Sequence, residues 1–109
     1  MFLVSVSKGQ EVIETIRHEM EQRGITAAAI VSIIGAVEGC CVSVMPKDNP
    51  LDDLPTEYDQ PFEMSGTGQV KDGKVHIHCV MGGDGGTVSG HLHWAKVDHW
   101  FVDAYVIPV

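Results

Sequence analysis

The chain has 109 residues, of which 44% are hydrophobic and 20% charged. That length and balance describe one globular domain, residues 1–109, which buries roughly two-thirds of its unfolded-chain surface and needs no staple to fold. The formal net charge of −8, with seven Lys and Arg scattered and no basic run, argues against direct DNA binding and against anionic membranes, since phosphate contacts need clustered cations.

Met1 to Gln10 shows no basic segment followed by an apolar one, so no secretory signal is expected and the expected location is cytoplasmic. Phe2 to Val6 alternates and predicts a strand. Ser7, with Gln10 three residues later, makes a capping-box pattern that opens a helix. Val12, Ile13, Ile16 and Met20 recur at helical spacing as one apolar stripe, while Glu11, Glu14, Arg17, Glu21 and Arg23 lie mostly off it. Gly24 suits the left-handed position that stops a helix, with Ile25 folding back on the last turn.

Ala27 to Ile34 predicts a buried strand, broken by Gly35. The apolar run to Val37 is too short to cross a bilayer. Cys40 to Met45 predicts another strand, ended by Pro46. Adjacent Cys40 and Cys41 would point to opposite faces of it, poor geometry for a disulfide, so the chain's three cysteines are expected as buried, reduced thiols. Pro46 to Gln60, with three prolines and five acidic residues, predicts a long acidic loop. Pro61 to Val70 predicts a strand, and Asp72-Gly73 supplies the turn to the next. Lys74 to Met81 and Thr87 to Val97 flank the glycine cluster Gly82 to Gly86 as a second hairpin, and Trp100 to Ile107 predicts the last strand. The fold class is α+β: a single domain with a mostly antiparallel or mixed sheet and one amphipathic helix.

Five of the six histidines fall between positions 76 and 99. Strand alternation puts His76 and His78 on one face, and His91 and His93 on one face of the following strand. If His78 sits opposite His91, the turn centres between Asp84 and Gly85, inside the glycine cluster, and the two faces coincide. The same register sets His76 opposite His93, whereas a slip of one residue would separate the pairs. His76, His78 and His91 are therefore the expected metal ligands, because imidazole suits zinc and similar divalent ions and three ligands leave a position open for water or substrate. His93 could be a fourth ligand, a supporting group or a neighbour. Glu63, the single carboxylate inside Pro61 to Val70, could act as general base or ligand orienter if its strand lies beside the hairpin. His18, His99, Trp94 and Trp100 read as ordinary surface, packing or subunit-contact residues.

Gly24-Ile25, Ile34-Gly35-Ala36-Val37, Phe62-Glu63 with Ser65 and Gly66, Asp72-Gly73-Lys74, His76-Ile77-His78 and Gly90-His91-Leu92 follow one another along nearly the whole chain. In that order they resemble the PPC family, the plants-and-prokaryotes conserved domain. The resemblance implies a homotrimer, and a fold similar to acetolactate decarboxylase, whose zinc sits on a comparable H-x-H…H arrangement. It marks His76, His78 and His91 as ligands and aligns Glu63 with the family's Glu in that strand. Plant members carry an Arg-Gly-Arg-Pro-type AT-hook, which this chain lacks.

Two functions follow as expectations. One is a metal-dependent small-molecule protein or enzyme, in which the metal polarises a carbonyl or water and Glu63 or His93 handles protons. Against it, no Arg lies near the site in sequence to clamp a carboxylate. The other is a regulatory, DNA-associated trimer in which the metal is structural.

Overall fold

Alternation of apolar and polar residues organises several segments of the chain into strands. The computed structural model describes residues Met1 to Val109. In chain order the elements are β1 (Phe2–Val6), α1 (Val12–Gln22), β2 (Ala28–Val37), β3 (Cys40–Val44), β4 (Leu54–Tyr58), β5 (Phe62–Lys71), β6 (Lys74–Gly83), β7 (Gly86–Ala95) and β8 (Val102–Pro108). The eight strands form one sheet in the order β1-β8-β2-β5-β6-β7-β3-β4, antiparallel at every pairing. This is the expected α+β class.

α1 packs against β1 at one edge of the sheet and against the adjacent β6 and β7, four and five places along the strand order, so the sheet curls around the single helix. The inner face carries the core. Val12, Ile16 and Met20 of α1 meet Ile30, Ile33, Met64, Ile77, Cys79, Met81 and Leu92 of the strands. No second layer covers the outer face, and the molecule is a slab of 37 × 35 × 18 Å.

Four expectations about local structure are corrected. First, the helix begins at Val12, and its N-cap is Glu11 rather than Ser7. Gln10 Oε1 does accept the Ser7 N–H at 2.7 Å, but that bond closes a turn ahead of the helix. The Glu11 carboxylate instead accepts from the N–H groups of Ile13, Glu14 and, across the fold, Ala95. The helix end is as expected: Gly24 has φ +66°, and the Ile25 N–H reaches back to the Met20 carbonyl at 2.9 Å, a Schellman closure.

Second, Gly35 continues β2 instead of breaking it. A Cβ there would lie 2.0 Å from the Phe101 carbonyl oxygen, so glycine is what lets the chain entering β8 press against β2. Nor is β2 buried throughout. A bulge between Ile30 and Ile33 turns Val31 and Ser32 both outward, and Ile34 is exposed as well.

Third, the acidic segment contains β4, which pairs with β3 from Cys40↔Tyr58 to Val44↔Leu54. Pro55 is tolerated because β4 is the sheet's edge strand, where a missing N–H costs nothing on the outer side. Fourth, β7 ends at Ala95 and β8 begins at Val102, so Trp100 and Phe101 lie in the connection and are exposed. There the Glu38 carboxylate accepts from the N–H groups of Asp98 and His99 and ties this connection to the β2–β3 turn.

All three cysteines are free and buried. No helix of the chain is long and apolar enough to cross a membrane.

Candidate metal centre

β6 follows period two along its whole length. Ile77, Cys79 and Met81 enter the core, leaving His76, His78 and Val80 on the outer face. The β6–β7 hairpin turns through Asp84 and Gly85, with pairs running from Gly83↔Gly86 to His78↔His91. This is the register that the glycine cluster favours, and it brings His91 beside His78.

The ring centroids of His76 lie 4.8 Å from those of both His78 and His91, and the His78 and His91 centroids are 6.2 Å apart. One ring nitrogen from each of the three falls within 4.8 Å of the others. Two nitrogens bound at about 2.0–2.1 Å to one tetrahedral ion would lie about 3.4 Å apart, so small rotations of these exposed or half-buried rings close the gap. Partial burial, reinforced by the neighbouring His76, His93 and His78, lowers the pKa of His91, while Asp53 opposes the shift. The neutral imidazole that a metal requires is thereby favoured at His91. The donor set fits a divalent cation.

Gly90 explains how His91 is delivered. Its φ is +154°, and a Cβ there would stand 2.2 Å from the Ser43 carbonyl oxygen of β3. Glycine at this point allows β7 to run between β6 and β3 with no gap beside the site.

His93 does not pair with His76 as the extrapolated register required. The β6–β7 ladder stops at His78↔His91, and β7 carries a bulge where it pairs with β3, between Val42↔Leu92 and Cys41↔Trp94. The extra residue turns His93 towards β3 and the segment before β4. Its Nε2 lies 2.8 Å from Ser43 Oγ and 3.4 Å from Asp53 Oδ2. The ring still stands 4.8 Å from that of His91, centroid to centroid, so His93 borders the triad without being one of its three ligands. The Ser43, His93 and Asp53 group is not a nucleophile relay, because hydroxyl and carboxylate both approach the same ring nitrogen and a relay needs one on each. Ser43 and Asp53 are site neighbours that strand pattern and histidine spacing left unmarked.

Glu63 lies on the outer face of β5, in the strand next to β6 as expected, but opposite Gly82. The residue opposite His78 is Thr67, four positions away and about 13 Å along the strand. Within one chain the fold therefore does not bring Glu63 to the histidines. His18 and His99 are exposed and apart from the cluster, and His99 Nδ1 lies 3.2 Å from Glu38 Oε1.

Residues 1–107 match the model of the Plants and Prokaryotes Conserved (PCC) domain. The chain belongs to that family. Among solved structures, this PCC chain is similar to the metal-containing protein AF0104 from Archaeoglobus fulgidus, with 32% identity, 98% of this chain and 77% of that chain covered, and a TM-score of 0.82. It is also similar to a plant- and prokaryote-conserved (PPC) protein from Pyrococcus horikoshii, at 22% identity over 99% of this chain and 79% of that chain, TM-score 0.80. A protein of unknown function from Staphylococcus aureus, described as similar to alpha-acetolactate decarboxylase, shares the fold at 14% identity, 99% and 52% coverage and a TM-score of 0.68. No curated protein matches the chain.

Proposed function

We propose that this PCC protein holds a divalent metal, zinc, on His76, His78 and His91, keeps one coordination position open, and uses it to bind or transform a small molecule as a cytoplasmic homotrimer. The observation that carries the reading is the convergence of three imidazole nitrogens within 4.8 Å of one another on an uncovered sheet face. The likeness to a metal-containing archaeal protein at 32% identity supports it. Once bound by three neutral imidazoles, such an ion supplies Lewis acidity to a carbonyl or hydroxyl oxygen in its remaining position.

The chain's own residues supply the rest. His93, held by Ser43 and faced by Asp53, stands beside His91 and is placed to carry a proton at the edge of the site. Glu63 would serve a triad only from a neighbouring subunit, since its own chain keeps it about 13 Å along the sheet. The trimer is supported by the apolar outer face: Val31, Ile34 and Val80 are 45%, 56% and 48% exposed on strands near the sheet's centre. Three free, buried cysteines suit a reducing compartment. A regulatory, DNA-associated role finds no support in a chain of net charge −8 without a basic run.

The deciding experiment is metal analysis of the purified, untagged protein by plasma mass spectrometry beside a His76→Ala, His78→Ala double variant. Near-stoichiometric zinc in the parent and none in a folded variant is the expected result. A metal-free parent, or a variant that keeps its metal, would overturn the assignment.

A further inference from the structure

The outer face of the β5–β6 ladder carries three consecutive rows. Thr67 faces His78, Gln69 faces His76, and Lys71 faces Lys74. The triad thus continues, on the same face and two residues further along, into a pair of directly opposed lysines about 7 Å beyond His76 along the strand. A shallow, open depression joins them, bordered by His76, His91, Gln69 and both lysines.

The lysine pair is an electrostatic oddity in this chain. Like charges directly across an antiparallel pair repel. Acidic residues outnumber basic ones by 15 to 7, so carboxylates to neutralise the pair are plentiful. Yet neither lysine has a carboxylate within ion-pair distance. Asp72, in the turn between them, borders the same depression without forming an ion pair with either. Two ammonium groups with no ion-pair partner thus stand next to a cation site with an open position, with Asp72 the one carboxylate at the same depression.

The geometry points to a small dicarboxylate as the ligand of this site, with one carboxylate at the metal position and the other between Lys71 and Lys74, where Gln69 can donate to it. This rests on the metal reading above and names its ligand class. It also supplies what the sequence lacked, since the cations that clamp the second carboxylate are the lysines of the β5–β6 turn rather than an arginine. A monocarboxylate satisfies the metal and leaves the lysine pair unneutralised, so the site discriminates by the second charge.

Calorimetric titration tests this with zinc-loaded protein at fixed ionic strength, using succinate and acetate as probes, in the parent and in a Lys71→Gln, Lys74→Gln variant. Zinc content is measured in both before any ligand is added. The expected result is that succinate binds the parent at least tenfold more tightly than acetate does. In the variant that advantage disappears, while zinc content and weak acetate binding stay the same. Equal affinity for the two probes in the parent, or an unchanged preference in the variant, would overturn the inference and leave the zinc site standing. A parent without zinc would overturn both. A Lys71→Glu, Lys74→Glu variant, which turns the row from two positive charges to two negative ones, should reduce succinate binding below that of the neutral variant; tighter binding there would also count against the clamp.

Discussion

His91 and His93 differ by two positions and by most of their chemistry. His91 keeps its place in the ladder and shares a nitrogen cluster with His76 and His78, whereas the β7 bulge turns His93 to Ser43 and Asp53. His93→Ala should therefore lower zinc affinity by only about tenfold, as loss of a supporting group does, while His78→Ala abolishes tight binding; competition against a chromophoric chelator measures both. The cysteines invite a second residue-level test. Burial pushes the Cys40 and Cys79 thiols up to about 11, from 9.0 for a free thiol. Both should resist iodoacetamide in the folded protein at about pH 8 and react fully in denaturant, as read by mass spectrometry. Between about pH 9 and 11 the folded state holds thiol protons that the unfolded state has lost, so stability falls as pH rises through this window. The urea midpoint should accordingly be lower at about pH 10 than at about pH 8.

Among the elements, α1 shows most clearly how a local signal is overruled. Ser7 and Gln10 do form the side-chain bond of a capping box, yet Val97 takes the intervening backbone: Gly9 donates to its carbonyl at 2.7 Å and Val97 donates to Gln10 at 3.0 Å. The helix consequently starts one turn later, on a carboxylate that also satisfies the Ala95 N–H of β7. Glu11→Ala removes a cap and strands an N–H between helix and sheet, so it should cost about 2 kcal/mol in urea unfolding, against a few tenths for Gln10→Ala at the exposed turn. The hairpin that carries the histidines was legible because two independent constraints, face parity and a turn centred in the glycine cluster, agree on the register that sets His78 opposite His91. The β7 bulge was not legible, because it answers to pairing with β3, which is distant in sequence. The same holds for β4: no apolar alternation marks Leu54 to Tyr58, and it becomes a strand because β3 offers it a free edge.

At the scale of the whole molecule, eight strands and one helix leave an imbalance: α1 fills the inside of the curled sheet, and the outer face, histidines included, has no covering layer. The apolar residues there account for the buried reading of Ala27 to Ile34, since a run that is apolar on both sides anticipates cover on both sides. If subunits supply that cover, light scattering should give three times the 11.8 kDa chain mass, and Ile34→Glu with Val80→Lys should shift the protein to monomer without unfolding it. A parent that stays monomeric at high concentration would remove the trimer from the proposal.

By itself the sequence determined the α+β class, the apolar stripe of the helix and its glycine stop, the histidine hairpin with its register as far as His78 and His91, and an acidic balance without a basic run, because each follows from local periodicity, turn chemistry or composition. Only the tertiary structure decided which neighbours those elements acquire. It set Glu63 away from the triad, drew His93 to Ser43 and Asp53, made a strand of an acidic segment, and aligned Lys71 and Lys74 with the histidines along one face. These outcomes depend on the pairing of strands remote in the chain, whose register and bulges answer to contacts that no local pattern records.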